Sequence, residues 1–510
     1  MFGKYLDKLD GLLDKLSMYK LLIYYLIGLL AVAIGYSAFG QIHFSPIEIA
    51  GSALFLFVVC WLVNQIFYRT LRVPANGDST IITALILSLI ISPGLAIDNL
   101  LFMTAAGGIA IASKYLLTYR NKHIFNPAAF AVVLTAYAAH QSASWWIGNP
   151  HMMWCVLIGG LLLMRRIRRT EMVLSFLAVS LAATALYAQF ANTDVMTTLH
   201  NTIFSSALLF MGFVMLTEPQ TSPGTKQNQV LYSILTGALF SPRIHLGTIF
   251  STPELDLLIG NVFAYIVNPR ISLQPKLLRK LNVTPDTMDF EFKPDKKFDY
   301  KPGQYMEFTL PHEHTDLRGQ RRFFTLASSP TEETLRIGVK FYPNGSSYKK
   351  TLAAIDGQSL LGATNLGGDF TLPNDKQRNL VFIAGGIGVT PYRSMIKYLL
   401  DTNEKRPVTL LYSANTAEDI AYMDVFEQAR NILGINVNYT LTRQGAQLPD
   451  SRFKAGAITP ELIRSTVPDY QNATFYVSGP HGMVVAIEKA LRQSGIPLHH
   501  IKTDFFSGYA

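Results

Sequence analysis

The residue types best suited to chemistry lie in the second half of the chain. Arg322-Phe323-Phe324-Thr325 sets a cation, two aromatic rings and a hydroxyl on successive positions. That set suits a flavin dinucleotide: the guanidinium pairs with a pyrophosphate, a ring stacks, and the hydroxyl meets the isoalloxazine edge. Gly345-Ser346-Ser347 opens a predicted helix through Leu352 and offers backbone N–H groups to a phosphate. Gly385-Gly386-Ile387-Gly388-Val389-Thr390 follows an apolar strand at 379–383 and precedes a helix. A glycine-rich strand-to-helix turn of this kind lets the backbone approach a dinucleotide pyrophosphate. A second strand, 408–412, ends at Ser413, placed to meet an adenosine, and a third, 474–477, runs into Ser478-Gly479-Pro480-His481-Gly482.

Polar residues of the first half cluster beside apolar segments. Asn76-Gly77-Asp78-Ser79-Thr80, the run from Lys122 through Asn126 to Phe130, the cluster Arg165, Arg166, Arg168 and Arg169, and Thr217-Glu218-Pro219 all stand at predicted helix ends. Such residues either cap helices or line a cofactor site. No two of the six histidines in this half stack within one span, so haem-carrying helices are not expected. Cys60 and Cys155, the two cysteines, are too few for a structural zinc site, an ordinary iron–sulfur cluster or a disulfide framework. No metal ligand set is expected, and redox chemistry falls to organic cofactors.

The elements that must carry these groups follow from composition. Of 510 residues, 49% are apolar and 15% charged, against about 25% charged in soluble proteins. The deficit falls in residues 20–268, which predict a multi-pass α-helical membrane domain. Ten candidate spans are expected, near 20–39, 46–68, 79–93, 99–118, 127–140, 151–164, 172–190, 201–216, 228–241 and 254–268. Several fall short of the ~20 residues of a full crossing, so broken or tilted helices are expected. Residues 1–19 carry Phe2, Leu6, Leu9, Leu13 and Leu16 on one face, the pattern of an interfacial amphipathic helix. Net charge is +9, and nothing resembles a nucleic-acid-binding module. With the first span running outward, Arg69, Arg72, Arg120, Lys122, the arginine cluster and Lys226 all fall on one side, and Arg243 alone among the basic residues of the loops on the other. The positive-inside rule then places both termini and the soluble domain in the cytoplasm, at the cell inner membrane.

Residues 277–510, with these elements in this order, resemble the ferredoxin–NADP reductase superfamily. The resemblance implies a FAD-binding antiparallel β-barrel over 277–375 and a Rossmann-like α/β NAD(P)-binding domain over 378–510. It implies that Arg322, Phe323, Phe324, Thr325 and Val339 bind FAD, with Gly345, Ser346 and Ser347 at its pyrophosphate. Gly385, Gly386, Gly388, Thr390, Ser413, Gly479, Pro480 and Gly482 would hold NAD(P)H. Thr325, Ser478 and Phe506 would serve the reaction, Phe506 covering the flavin until nicotinamide displaces it. Ser478 stands where the family usually has cysteine, which implies a slower hydride step. No arginine stands at Ser413-Ala414-Asn415 to meet a 2′-phosphate, which favours NADH.

The first half, over roughly 18–270, resembles the RnfD/NqrB family of membrane subunits, on Asn126–Phe130 and Thr217–Pro223 above all. Those subunits belong to ion-coupled, flavin-based respiratory complexes, which implies partner redox subunits. The family's flavin-carrying threonine aligns with Leu208, which has no oxygen to esterify, so no covalent flavin is expected. A non-covalent FMN or riboflavin near Asp78, Asn126 and Thr217 is expected instead.

The combined expectation is a membrane-bound NAD(P)H dehydrogenase. Electrons pass through FAD to a flavin or quinone in the lipid bilayer domain, or onward to an outer-face acceptor. The alternative is a flavin or ion transporter regulated by a reductase domain.

Overall fold

The computed structural model describes residues 16–71, 77–119, 122–241, 244–268, 271–316, 318–445, 447–467 and 469–504. The chain divides into two compact units, Met1–Arg270 and Ile271–Ala510. The expected helix at 1–19, apart from its last residues, and Phe506 lie outside the described residues.

All ten apolar stretches of the first unit are helical. They form α1 Met18–Ala38, α2 Pro46–Leu71, α3 Gly77–Ile90, α4 Ile97–Leu116, α5 Pro127–Ala139, α6 Pro150–Ile167, α7 Thr170–Phe190, α8 Val195–Phe204, α9 Leu208–Met215, α10 Lys226–Leu239 and α11 Pro253–Val267. Among the described residues, α1, α2 and α7 are long and apolar enough to cross a bilayer; α8 and α9 together make a fourth if their 55° bend joins one span. The expected ten crossings are therefore not matched by ten full-length helices. At 14 and 13 residues, α3 and α5 are apolar but short, and ~1.5 Å of rise per residue leaves each well under the ~30 Å hydrocarbon thickness. The bend between α8 and α9 is a broken helix of the kind the short stretches predict.

Local signals set these helix ends. Asn126 caps α5 by accepting the Ala129 N–H at 3.0 Å, with Pro127 in the first turn. Asn149 does the same for α6 and Thr252 for α11. Close helix packing needs Gly260, where a methyl group would fall 2.4 Å from Thr236 Cγ2 of α10.

The second unit begins with six strands, β1 Lys276–Thr284, β2 Thr287–Lys293, β3 Tyr305–Thr309, β4 Arg321–Thr325, β5 Leu335–Lys340 and β6 Gly362–Gly367, plus α12 Ser347–Ala354. They pair antiparallel as two three-stranded sheets, in the orders β1-β2-β5 and β6-β3-β4. Phe290, Phe292, Met306, Phe308, Ile337 and Tyr348 fill the core between them. Alternation explains the faces: Leu335, Ile337 and Val339 point inward along β5 and their neighbours outward.

The remainder is a six-stranded parallel sheet with β7 Leu380–Gly385, β8 Val408–Ala414, β9 Asn436–Leu441, β10 Phe453–Ala455, β11 Thr474–Ser478 and β12 Ile501–Asp504. Its order is β10-β9-β8-β7-β11-β12. Helices α13 Thr390–Asp401, α14 Met423–Leu433, α15 Pro460–Thr466 and α16 His481–Gln493 follow β7, β8, β10 and β11. Phe382 packs with Tyr392 and Phe426, whereas Val381 and Ile383 pack with Ile463 and Ile487. Burial on both faces accounts for the unbroken apolar run of β7.

Candidate functional site

Strand order locates the nucleotide crevice. The chain adds strands on one side of β7 and then on the other, so the sheet's switch point lies between β7 and β11, at their carboxyl ends. Gly385, Gly386, Ser478 and Gly479 stand there; Ala384 and Ser478 are paired in register. Gly386 has φ +51°, and a methyl group on Gly388 would fall 2.5 Å from the Gly479 N and Cα atoms. Only glycine lets the turn close this tightly and bring backbone N–H groups to a pyrophosphate. Thr390 opens α13, and Pro480 precedes α16. Gly482 lies in the first turn of α16, beside open space, and Ser413 is half-buried near the end of β8.

The flavin-type residues gather on β4. Arg322 is buried, its Cζ 4.9 Å from the centre of the Tyr348 ring, while Nη1 donates to Arg318 O at 2.6 Å and Arg321 O at 2.7 Å. Phe324 shares that face and meets Phe308 and Tyr348. Phe323 points the other way, 39% exposed, with its edge on Tyr305. Thr325 is buried, and its hydroxyl has no hydrogen-bond partner among the described residues. Val339, expected at the cofactor, lies in the barrel core.

The N-terminus of α12 completes this side. Ser346 caps the helix through Lys349 N at 3.3 Å, and Gly345 N donates to Tyr342 O at 3.0 Å. Ser347 exchanges two bonds with Asp316: its N–H donates to Asp316 Oδ2 at 2.9 Å, and its Oγ accepts from Asp316 N at 3.0 Å. Arg318 closes on the same carboxylate at 2.8 Å, holding the Asp316 carboxyl below its usual range together with the Ser347 N–H. Lys349 donates to Lys340 O at 2.8 Å; burial, then Arg322 and Arg318, push its ammonium down to about 8. Sequence reasoning missed Arg318 and Lys349, which no spacing rule connects to Arg322.

Three cations beside a helix N-terminus, and a buried hydroxyl seeking a partner, fit a dinucleotide with a flavin ring. The crevice at β7 and β11 fits a second dinucleotide.

In the helical unit the structure gives each expected site residue a partner. Asp78 pairs with Lys20 at 2.8 Å. Thr217 Oγ1, in the turn after α9, donates back to Phe213 O at 2.8 Å. Asn126 Nδ2 donates to Glu218 at 2.9 Å, and its N–H to Asn261 Oδ1 at 2.8 Å. Glu218 also accepts the Thr221 hydroxyl at 3.0 Å, and Asn261 Nδ2 reaches Tyr232 Oη at 3.2 Å. Asn126 is thus both a cap and part of a buried polar cluster that contains neither Asp78 nor Thr217. No group of three or more metal-ligating side chains occurs among the described residues.

Fold and site together define a class: an apolar helical domain joined to an antiparallel barrel and a parallel α/β sheet whose switch point carries a glycine-lined crevice. Residues 147–274 match the NQR2, RnfD, RnfE family, and residues 382–489 match the oxidoreductase NAD-binding domain. The chain is 31% identical over 220 residues to a flavohemoprotein of Halalkalibacterium halodurans, covering 41% of this chain and 52% of that protein. It is 27% identical over 266 residues to the reductase component of propane 2-monooxygenase of Mycolicibacterium goodii, covering 49% of this chain and 71% of that one. The chain thus spans about half the length of the flavohemoprotein that it matches. Among solved structures, the FAD/NAD-binding domain of nitric oxide dioxygenase from Vibrio cholerae is 22% identical, with a TM-score of 0.39, over 46% of this chain and 98% of that one.

Proposed function

We propose that this protein is a membrane-bound NAD(P)H dehydrogenase that delivers electrons to an acceptor in its helical domain. The observation that carries the reading is the pairing of two dinucleotide cradles in one unit: the cationic group Arg318, Arg322 and Lys349 at α12, and the glycine-lined crevice at β7 and β11. FAD, once bound, supplies the step from two-electron hydride chemistry to single-electron delivery. Arg322 and Lys349 neutralise its diphosphate, and Thr325 offers a hydroxyl to the ring system. Gly386, Gly388 and Thr390 receive the NAD(P)H pyrophosphate, and Ser478 lines the place where nicotinamide would lie. The lack of an arginine at Ser413-Ala414-Asn415 favours NADH.

The NQR2, RnfD, RnfE match supports a membrane location and partner redox subunits. The acceptor is a non-covalent flavin or a quinone in the helical domain, or a carrier on the outer face. The distribution of arginine and lysine supports ten bilayer-embedded segments, with termini and oxidoreductase domain in the cytoplasm at the inner membrane.

The test is to release the flavins of the purified protein with acid and count them per chain, then mix the intact protein anaerobically with NADH. FAD plus one FMN or riboflavin, both bleached by NADH, is the expected result. FAD alone would leave a quinone or an outer-face carrier as the acceptor. No bleaching by either reduced nicotinamide would overturn the reading.

A further inference from the structure

A buried cluster that none of the cofactor motifs includes ties the barrel to the nucleotide-binding domain. Asp289 lies in β2 opposite Gly338 of β5 and is fully buried. Its Oδ1 accepts the Tyr422 hydroxyl at 2.5 Å, and its Oδ2 lies 3.4 Å from Arg336 Nη1. Tyr422 stands at φ +59°, just before α14. An aromatic residue holds that left-handed conformation only where its surroundings impose it. Gly338 makes room for it: a methyl group there would fall 2.4 Å from Tyr422 Oη and 2.9 Å from Thr390 Cγ2.

One turn along α13 from Thr390, buried Arg393 pairs both terminal nitrogens with Glu332 and donates to Ala327 O at 2.9 Å. Its Cζ lies 5.9 Å from the centre of the Tyr422 ring. Ser394 adds a bond to Ser328 O at 2.6 Å. Ala327 and Ser328 lie two and three residues after Thr325 in the chain. The cluster therefore grips the segment leaving the flavin strand, the adjacent barrel strands and the first turn of the nucleotide helix. Directional bonds in a buried network hold one geometry, where an apolar interface could slide.

We infer that Asp289, Tyr422, Arg393 and Glu332 are positioning residues that set the nicotinamide cradle at Thr390 and Ser478 against the flavin cradle at Thr325. They govern the rate of hydride transfer and leave cofactor affinity nearly untouched. The inference rests on the NAD(P)H-to-FAD reading above. In that step the C4–H bond of the reduced nicotinamide breaks, and its electron pair and proton pass together to flavin N5. The products are oxidised nicotinamide and two-electron-reduced flavin, and the cluster itself exchanges no electrons. Misplacement by ~1 Å in such a step costs up to ~100-fold.

The test uses the full chain in detergent, with Tyr422→Phe, Asp289→Asn and Glu332→Gln. Tyr422→Phe keeps the ring beside Arg393 and removes the bond to Asp289. Its expected result is flavin reduction slowed about tenfold at saturating NADH, with NADH affinity within about twofold and FAD content unchanged. The long-wavelength charge-transfer band of the nicotinamide–flavin pair should weaken in parallel. Asp289→Asn keeps an acceptor for Tyr422 and should retain most of the rate. Glu332→Gln should move in the direction of Tyr422→Phe and replaces it if that variant does not fold. An unchanged rate and band would overturn the inference, as would a rate that falls only in step with lost FAD or weakened NADH binding. Wild-type protein that NADH and NADPH both fail to reduce would instead remove the functional reading on which it stands.

Discussion

At the N-terminus of α12, Lys349 shares a small volume with Arg318 and Arg322, and burial and their charges together push its ammonium down to about 8. Below that value the lysine is charged and adds its attraction to a diphosphate; above it the attraction is lost. FAD affinity should therefore fall about tenfold between pH 7 and pH 9, the weight of one charge-assisted contact at ~1.5 kcal/mol. Lys349→Arg, charged throughout, should flatten the profile, as fluorescence of released FAD against pH would read. Asp289 gives a second expectation, of opposite chemical kind. Burial pushes its carboxyl up to about 6, against the opposing pull of Tyr422 and the arginines. An unfolded aspartate ionises near ~4, so between these values the native state binds the extra proton. The stability Asp289 contributes is present below about pH 4 and lost as pH rises through about 6. Asp286, Glu291 and Asp316 are held below their usual range and act in the other direction. The readout is thus the difference in Tm between wild type and Asp289→Asn: the variant should gain relative stability from pH 4 to 6, whatever its constant offset.

The glycine turn after β7 acts as an element, because its worth lies in bringing two strand ends together. Gly388→Ala would drive a methyl group into the Gly479 backbone, 2.5 Å away, where neither partner is a flexible side chain. Overpacking of this kind costs ~1–3 kcal/mol, and the crevice can relieve it by widening. NADH binding should weaken about 10- to 100-fold with FAD content retained, as an anaerobic titration would show. This turn was legible in the sequence because glycine type and strand–helix context are local. So were the ten apolar stretches that fold as α1–α11, and the strands β7, β8 and β11, which hydropathy and strand–helix alternation write directly into the chain; the order of the sheet was not legible. Crossing number was not: apolar residues mark burial, and 13- and 14-residue helices such as α5 and α3 bury as well as long ones. Nor was the contact of Tyr422 with Asp289 legible. It joins residues 133 positions apart, and each alone reads as an ordinary strand or turn residue. Val339 is placed by alternation on the buried face of its strand, in the barrel core.

At the scale of the whole molecule, charge and fold make separate statements that one experiment can join. The helical unit ends at Arg270 and the oxidoreductase unit follows without further apolar helices among the described residues, so the side on which α11 ends decides the compartment where NADH must be met. Arg69, Arg165, Arg166, Arg168, Arg169 and Lys226 all fall on one side if the apolar segments alternate, and the positive-inside rule then predicts a cytoplasmic side for them. The proposed dehydrogenase would meet its reduced nicotinamide there, which makes the orientation a test of the proposal. Protease added to sealed vesicles with the cytoplasmic face outward should remove the 271–510 unit and abolish NADH oxidation, whereas vesicles of the opposite orientation should keep both. The reverse pattern would put the dinucleotide crevices on the far side from the NADH pool and would count against the dehydrogenase reading itself. Replacing the arginine cluster 165–169 with glutamine weakens the same signal from within. It should raise the fraction of chains inserted in the wrong orientation, without altering FAD content in those that insert correctly.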